Sequence, residues 1–374
     1  MKHRIIAWVL LLCLCLAGCA AGTNNENQDD AGKSRTGTER AMIPTVTVPA
    51  DPQRVVCIGA GALRLYSYIG DMSRLCGVEA CEKGFLISVR PYQSVHEELF
   101  RSLPSVGAGG PQGAPDAEAL LAVHPDVIFS LYTSDSAAMD ELQNKTGVPV
   151  VVCSYGKTEA FDTAITQSLT LMGEVLGRQE RAKTVTDYIE SIRTDLDRRT
   201  RDIPDAEKPT VYLGCQSNYG THGLGSSTAG YALFDAVHAR NVLDEAGYSG
   251  YQKALDTETL LTLDPEIIII DAGGLALFLE EYKKDPTVYD SMRAVKTGEI
   301  YLQMPYNAYY TNLEIAFADA YFIGKTLYPD AFADVDAAQK FDEFSRALLG
   351  EDCYKTVAAQ MYGGYGKLDP ALLR

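Results

Sequence analysis

One stretch of the sequence occurs twice, and this repeat limits the folds that the chain can adopt. Residues 116–130 read DAEALLAVHPDVIFS and residues 256–270 read DTETLLTLDPEIIII, and the two align without a gap. Each copy begins with an aspartate suited to cap a helix and reaches a proline that ends the helix. The β-branched apolar run that follows is typical of a buried parallel strand. A repeat at this long spacing predicts two similar α/β halves with a cleft between them, rather than a solenoid of many short units.

Strand and helix patterns alternate on either side of a central helical section. From about residue 159 to residue 203 the apolar positions keep helical spacing, with a break at Gly177, and the second of the two helices would reach roughly 33 Å. We therefore expect an α/β lobe at 46–158, linking helices at 159–203, and a second α/β lobe with C-terminal helices at 204–374. The strand patterns are PTVTVP at 44–49, RVVCIG at 54–59, LCGVEA at 75–80, DVIFS at 126–130, VPVVVCSY at 148–155, TVYLG at 210–214 and EIYLQM at 299–304.

The first 19 residues have the composition of a secretion signal. A positive start precedes an apolar run, Ile5 to Leu16, that is too short to span a bilayer. The run ends in Leu16-Ala17-Gly18-Cys19, which resembles the bacterial lipobox, in which the cysteine is lipidated and becomes the new N-terminus. An ordinary signal peptide cleaved nearby is the alternative. Residues 20–45 are mostly polar and indicate a flexible tether, so we expect the chain to be exported and anchored to a membrane by lipid.

The charge and the cysteines exclude some functions. The formal net charge is −17, which argues against a nucleic-acid partner because such proteins need a basic surface. Six cysteines follow the leader, and none of their spacings is a zinc signature. Cys76 and Cys81 are close enough in sequence to form a disulfide, but the sequence leaves this open.

The sequence contains no Gly-x-Ser-x-Gly turn, no His-Glu-x-x-His helix and no P-loop, so we expect no enzymatic activity and no cofactor.

Four segments together resemble a known family, the helical-backbone (class III) substrate-binding proteins of ABC importers for ferric siderophores, haem and cobalamin. The segments are RVVCIGAGALRLYSYIGD, AEALLAVHPDVIFS, TGVPVVVCSYG with the helix pair after it, and LDTETLLTLDPEIIII. The resemblance implies two Rossmann-like α/β lobes joined by a long backbone helix, with the ligand cleft between the lobes. It also implies a monomer that delivers its ligand to a dimeric ABC permease with its ATPase.

The repeated glutamates have two interpretations. Glu118 and Glu258 fall in the first turn of their helices, where negative charge suits the helix dipole. In the family that the chain resembles, one acidic residue on each lobe docks onto basic residues of the permease, and the doubled motif places these residues at Glu118 and Glu258.

Two arginines are candidates for contacting an anionic ligand. Arg64 follows the strand-to-helix turn Gly59-Ala60-Gly61 and could hold an anionic group or be a solvated helix charge. The turn lacks the third glycine of a dinucleotide fingerprint. Arg90, beside Pro91 and Tyr92 in a loop expected at the cleft, could contact carboxylate or catecholate oxygens or be a surface-loop arginine.

Polar and aromatic side chains follow several predicted strands, where ligands of α/β proteins bind. Tyr132 and Tyr155 each follow a strand of the first lobe, and Tyr219 and His222 lie in a glycine-flanked loop of the second lobe. The cluster Tyr306-Asn307-Ala308-Tyr309-Tyr310 has no amphipathic period, so we expect at least one of its tyrosines to face the cleft, where phenol rings suit a bulky aromatic chelate. His222 or Tyr306 could also complete a metal site.

The ligand itself is left open by the sequence. We expect a ferric siderophore, with haem or a corrinoid such as cobalamin as the alternative and a free metal ion or an oxyanion as further candidates. A zinc- or manganese-binding protein needs several converging histidines and carboxylates, and only five histidines occur in the whole chain. A purely structural surface lipoprotein would not explain the two-lobe repeat.

Overall fold

The computed structural model describes residues 46–84, 89–110, 113–132, 136–157, 160–218 and 220–373. The predicted leader with its Cys19, the predicted tether at 20–45 and the candidate Tyr219 therefore lie outside the described residues. Among the residues described, no helix is both long enough and apolar enough to cross a bilayer.

The first lobe is built on a parallel sheet whose residues are nearly all buried, as expected for apolar strands covered on both faces. The strands are β1 (Val55–Ile58), β2 (Leu75–Gly77), β3 (Val127–Ser130) and β4 (Val150–Val152), in the order β2–β1–β3–β4. The helices are α1 (Ala62–Ile69), α2 (Pro91–Val95), α3 (Glu97–Ser102), α4 (Ala117–Ala122) and α5 (Ser136–Thr146).

Two helices follow the first lobe, as the apolar periodicity predicts. Helix α6 (Thr163–Leu176) ends at Gly177, whose φ of 67° lies in the left-handed region that suits a glycine at a helix end. Helix α7 (Gln179–Thr200) has 22 residues and buries one face, including Val185, Ile189 and Leu196.

The second lobe contains a five-stranded sheet and a separate two-stranded ribbon. The strands are β5 (Thr210–Gly214), β6 (Ser227–Ala229), β7 (Arg240–Asn241), β8 (Gly250–Gln252), β9 (Ile267–Asp271), β10 (Ile300–Gln303) and β11 (Gly366–Lys367). The sheet has the order β11–β10–β9–β5–β7, in which only the β11–β10 pair is antiparallel, and β6 and β8 form the ribbon. The helices are α8 (Ala232–Ala236), α9 (Val242–Glu245), α10 (Thr257–Leu263), α11 (Leu275–Lys284), α12 (Pro286–Tyr289), α13 (Arg293–Thr297), α14 (Leu313–Leu327), α15 (Ala337–Leu349) and α16 (Tyr354–Gln360).

The repeated stretch forms the same helix–strand unit in both lobes. The Asp116 carboxylate accepts the Ala119 N–H of α4 at 3.0 Å, and Asp256 accepts the Thr259 N–H of α10 at 2.7 Å. The residue after each proline also has the same role. The Asp126 carboxylate accepts the backbone N–H of Arg54, and the Glu266 carboxylate accepts that of Thr210, at 2.9 and 2.8 Å.

These last two contacts fix the start of the neighbouring strand in each sheet, because Arg54 precedes β1 and Thr210 begins β5. The repeat thus sets both the helix start and the strand pairing of each lobe. The predicted fold class, two α/β lobes joined by linking helices, is confirmed.

Helices α1 and α7 connect the two lobes. Helix α7 packs against α1 on one side and against α8 and α14 on the other. On α1, the Tyr68 hydroxyl donates to the Glu314 carboxylate at 2.5 Å and accepts the Leu313 N–H at 3.3 Å, both at the start of α14. The Arg181 side chain of α7 donates to backbone oxygens of Tyr68 and Ala347, each at 2.8 Å. One hydrophobic core therefore runs through both lobes.

Two local predictions need correction. Residues 46–49, part of the predicted edge strand at 44–49, do not form a strand, because the prolines at 44, 49 and 52 remove backbone donors. The strand predicted at 75–80 ends at Gly77, and Ala80–Lys83 forms a 3₁₀ helix. The six cysteines of the described residues are free thiols, including Cys76 and Cys81.

Candidate functional site

The loops that follow the parallel strands of both lobes meet at one boundary, and a segment of the second lobe reaches across it. This tyrosine segment, residues 306–312 (YNAYYTN), follows β10. It folds back on itself, because the Asn312 backbone N–H and side-chain amide both donate to the Tyr306 carbonyl at 2.9 Å. The fold-back places Tyr309 and Tyr310 at φ 58° and 72°, in the left-handed region that bulky residues rarely adopt.

Arg64 of α1 holds the tyrosine segment against the first lobe. Its side chain is 0% exposed, so the alternative interpretation as a solvated helix charge is wrong. Its guanidinium has five N–H donors, and five hydrogen bonds engage them. The acceptors are Asn312 Oδ1 at 2.9 Å, Ala308 O at 2.8 Å, Tyr309 O at 3.0 Å, Thr311 O at 3.1 Å and Tyr155 Oη at 3.4 Å. In this arrangement Arg64 positions the tyrosine segment and keeps no donor for a ligand.

The Tyr309 phenol enters a polar pocket of the first lobe. Its O–H donates to Glu79 Oε2 at 3.1 Å, and the Gly110 N–H donates to its hydroxyl oxygen at 3.0 Å. The Arg90 guanidinium lies over the Tyr309 ring, 4.9 Å from the ring centroid, within the range of a cation–π contact. We call Glu79, Arg90 and Gly110 the Tyr309 pocket.

Glu79 is a carboxylate surrounded by hydrogen-bond donors. It is 2% exposed, and burial raises its pKa although the Tyr132 hydroxyl and the Gly59 N–H both donate to it. Glu82, one helical turn further on, is equally buried and accepts the Tyr92 hydroxyl at 2.7 Å. Its Oε1 has no hydrogen-bond partner within the described residues.

Arg90 is buried without a full set of partners. Its side chain is 7% exposed, so the alternative interpretation as a surface-loop arginine is wrong. Among the residues described, it is the one arginine with buried nitrogens, Nε and Nη1, that lack a hydrogen-bond partner. An unsatisfied charged donor is costly to bury. The arrangement is therefore suited to an anionic group that accepts from these two N–H groups.

The other aromatic candidates take different positions at the boundary. The Tyr155 hydroxyl donates to Gly61 O at 3.3 Å, and Gly61 is required there because a Cβ would lie 2.5 Å from the Tyr155 ring. Tyr310, 38% exposed, packs on Tyr155 with ring centroids 4.6 Å apart. Tyr92 is fully buried beneath Arg64.

The remaining candidates have contacts within the second lobe. His222 Nε2 lies 2.9 Å from Asn218 O, and Tyr306 is buried with its ring 6.3 Å from that of Tyr231. Within the described part of the chain, no group of three or more His, Cys, Asp or Glu side chains is arranged to hold a metal ion.

A further buried acid of the second lobe is Asp271, at the end of β9. Its carboxylate accepts the Ser217 and Gly273 N–H groups at 3.0 and 2.9 Å, and burial raises its pKa to about 6. The Asn307 side chain donates to Ser217 O at 3.2 Å, so Asp271 supports the loop on which the tyrosine segment rests.

The structure brings most of the first-lobe candidates together and adds residues that the sequence analysis missed. Tyr132 and Tyr309 both donate to Glu79, Arg90 covers the Tyr309 ring, and Arg64 contacts Tyr155. Glu79 itself was missed because the predicted strand at 75–80 included it, whereas the structure ends that strand at Gly77. Asn312 and Asp271 were missed too, although Asp271 directly follows an apolar strand pattern, the signal that identified Tyr132.

Glu118 and Glu258 lie away from these contacts. Both are exposed, and both occupy the first turn of their repeat helices, α4 and α10. Their equivalent placement on the two lobes agrees with the gap-free alignment of the repeat.

Comparison with known proteins identifies related sequences and folds. A family model described as periplasmic binding protein matches residues 86–305. No curated protein matches the chain.

Several solved structures share the fold. The TroA-like periplasmic binding protein FepB from Veillonella parvula superposes with a TM-score of 0.63 at 22% identity, covering 83% of this chain and 95% of that one. An ABC transporter solute-binding protein from Sulfurospirillum deleyianum gives 0.62 at 18% identity, covering 84% and 95%. The molybdate-binding protein MolA of Haemophilus influenzae, solved with molybdate, gives 0.61 at 18% identity, covering 82% and 95%.

Proposed function

We propose that this chain, which belongs to the periplasmic binding protein family, captures a ferric siderophore. Members of that family bind a solute outside the cytoplasm for an ABC permease and its ATPase. Members of this family bind and deliver their substrates and are not enzymes. Its solved relatives include a protein with bound molybdate, so the fold does not select the cargo. The choice of cargo depends on the side chains at the lobe boundary.

The observation that carries the proposal is the buried Arg90 guanidinium, which lies over the Tyr309 ring and has two nitrogens, Nε and Nη1, without a hydrogen-bond partner. Many ferric siderophore complexes are anionic and present oxygen atoms, which arginine binds through charge-assisted hydrogen bonds. The Tyr310 ring, 38% exposed and packed on Tyr155, offers an apolar face to a bulky chelate. In a chain with a net charge of −17, a local cation is needed to attract such a ligand.

An oxyanion is the second candidate, because the same two N–H groups of Arg90 could bind molybdate or a related ion. The two candidates differ in size. A chelate needs the tyrosine segment to withdraw, whereas a small oxyanion needs only enough room to reach the Arg90 guanidinium.

Ligand titration of the mature chain tests the proposal. Trp8 is the one tryptophan of the sequence and lies in the leader, so tyrosine emission is the intrinsic signal. We expect one complex among ferric catecholates, ferric hydroxamates, haem and cobalamin to bind tightly. Arg90→Gln should weaken that binding about 100-fold, because losing one partner of a desolvated charged contact costs about 3 kcal/mol.

Arg193→Gln is the matched control, since Arg193 is exposed on α7 and pairs with Glu190. Tight binding of molybdate alone would select the second candidate. Unchanged affinity in Arg90→Gln, or binding of a bare divalent ion and of no chelate, would contradict both.

We also propose that Cys19 is lipidated and tethers a monomeric binding protein to the membrane. The support is the Leu-Ala-Gly-Cys sequence at the end of the apolar leader, followed by a polar stretch. Cys19→Ala should move the protein from the membrane fraction of cells to the soluble fraction. Cys15→Ala, a change inside the apolar run, is the control and should stay membrane-bound. Retention of Cys19→Ala on the membrane would contradict the anchor.

A further inference from the structure

The Tyr309 side chain belongs to one lobe and is bound by the other. It extends from the tyrosine segment after β10, but its hydroxyl is held by Glu79 and Gly110 of the first lobe, 3.1 and 3.0 Å away. Its side chain is almost fully buried there. The pocket therefore receives a phenol that reaches it across the lobe boundary.

The pocket complements a hydroxylated aromatic ring in three ways. Glu79 accepts the hydroxyl hydrogen, and Gly110 donates an N–H to the hydroxyl oxygen, so both capacities of the group are used. The Arg90 guanidinium covers the ring face at 4.9 Å from its centroid. Arg90 still has two buried N–H groups without partners, which Tyr309 does not satisfy. The pocket therefore has hydrogen-bond donors that Tyr309 does not use.

The backbone at Tyr309 is unfavourable for this residue type. Tyr309 and Tyr310 have φ angles of 58° and 72°, where a Cβ meets steric hindrance and glycine is favoured. Four hydrogen bonds from Arg64 hold the segment in this conformation. The phenol is therefore kept in the pocket by the surrounding structure, against the preference of its own backbone.

We propose that the Tyr309 pocket is a ligand subsite for a hydroxylated aromatic ring, and that Tyr309 is its internal occupant, which the ligand displaces. The proposal rests on the proposed function, since it assigns one arm of the captured chelate. It requires the arm to keep a free hydroxyl, because Glu79 accepts a hydrogen bond. It also changes the expected role of Tyr309 from a ligand contact to a competitor of the ligand.

Tyr309→Gly tests the subsite directly, because glycine suits the observed φ and removes the phenol. Calorimetric titration with 4-methylphenol and 1,2-dihydroxybenzene should show both probes binding to this variant about tenfold or more tightly than to the wild type, since the competing side chain is absent. Tyr310→Gly makes the same backbone change without emptying the pocket, and it should bind the probes no better than the wild type. Adding Glu79→Gln to Tyr309→Gly should reduce the gain, because an amide oxygen is a weaker acceptor than a carboxylate. Equal affinity of the two glycine variants would overturn the subsite.

A second titration separates this inference from the proposed function. If a ferric chelate that keeps one catechol arm off the iron binds the wild type, Tyr309→Gly should bind it about tenfold more tightly, because the free arm no longer has to displace an occupant. Weaker binding would overturn the inference and return Tyr309 to the role of a ligand contact. If no ferric chelate binds either protein, the proposed function fails, and the phenol titration still decides whether the subsite exists.

Discussion

Replacing both Glu118 and Glu258 by lysine is expected to abolish import of the ligand while leaving its binding unchanged. The two glutamates are exposed and occupy equivalent first turns on the two lobes. A dimeric permease presents each docking site twice, and two equivalent charges on one chain match that symmetry. Reversal turns two attractions into two repulsions, and like charges across an interface cost several kcal/mol. Uptake of ⁵⁵Fe-labelled ligand by cells reports import, and tyrosine fluorescence titration of the purified variant reports binding.

The matched control is Glu98→Lys with Glu180→Lys. These two glutamates are also exposed, and they lie in the first turns of α3 and α7. The control therefore makes the same change in net charge at helix starts outside the repeat. Import by the Glu118/Glu258 variant at the wild-type rate would contradict docking through these residues. Equal loss of import in both variants would show that the effect comes from the change in net charge alone.

Arg64→Met should lower the free energy of unfolding by about 4 kcal/mol, within the range for losing one member of a buried charged hydrogen-bond network. Methionine keeps much of the side-chain volume but leaves the carbonyls of Ala308, Tyr309 and Thr311 without their donor. Hydrogen bonds to charged groups contribute about 1.5–3 kcal/mol each, and unmet buried acceptors add to the loss. Urea unfolding followed by circular dichroism measures the change.

Arg193→Met serves as the control for Arg64→Met. Arg193 also lies on a helix but pairs with Glu190 at the surface, with both side chains 58% exposed, and such pairs contribute about 0.2–1 kcal/mol. A loss in Arg64→Met no larger than that of the control would show that the tyrosine segment is held by other contacts.

Local patterns predicted the elements whose burial is periodic along the chain. The β1, β3, β5 and β10 segments were identified to within one or two residues, and α1 (Ala62–Ile69) begins directly after the predicted strand-to-helix turn. The short strands β6, β7, β8 and β11 were missed, because two or three residues carry too little periodicity. The helices α2 and α3 were also missed, because they are too short to show a clear helical period. Tertiary packing decides their structure.

The sequence identified candidate residues for the site but not the residues that each of them contacts. Tyr155 was a candidate because it follows a strand, Tyr309 because its cluster has no amphipathic period, and Arg90 because its loop was expected at the cleft. The contact between Arg64 and Asn312 joins residues 248 positions apart, and no local pattern encodes such a pair. Glu79 is a further example, because carboxylates are expected at the surface and its burial depends on donors from three separate loops.

Helix α1 carries Arg64 and Tyr68 one turn apart, and both side chains form hydrogen bonds with the second lobe. Helix α7 packs against both lobes. Two helices that span the boundary resist a large hinge rotation, so we expect the distance between Glu118 and Glu258 to stay nearly constant whether or not cargo is present. If the permease docks onto these two glutamates, it meets the same pair of charges on loaded and unloaded molecules. Unloaded copies would then occupy the transporter as competitors, and flux would depend on the fraction of the pool that carries cargo as well as on its total abundance.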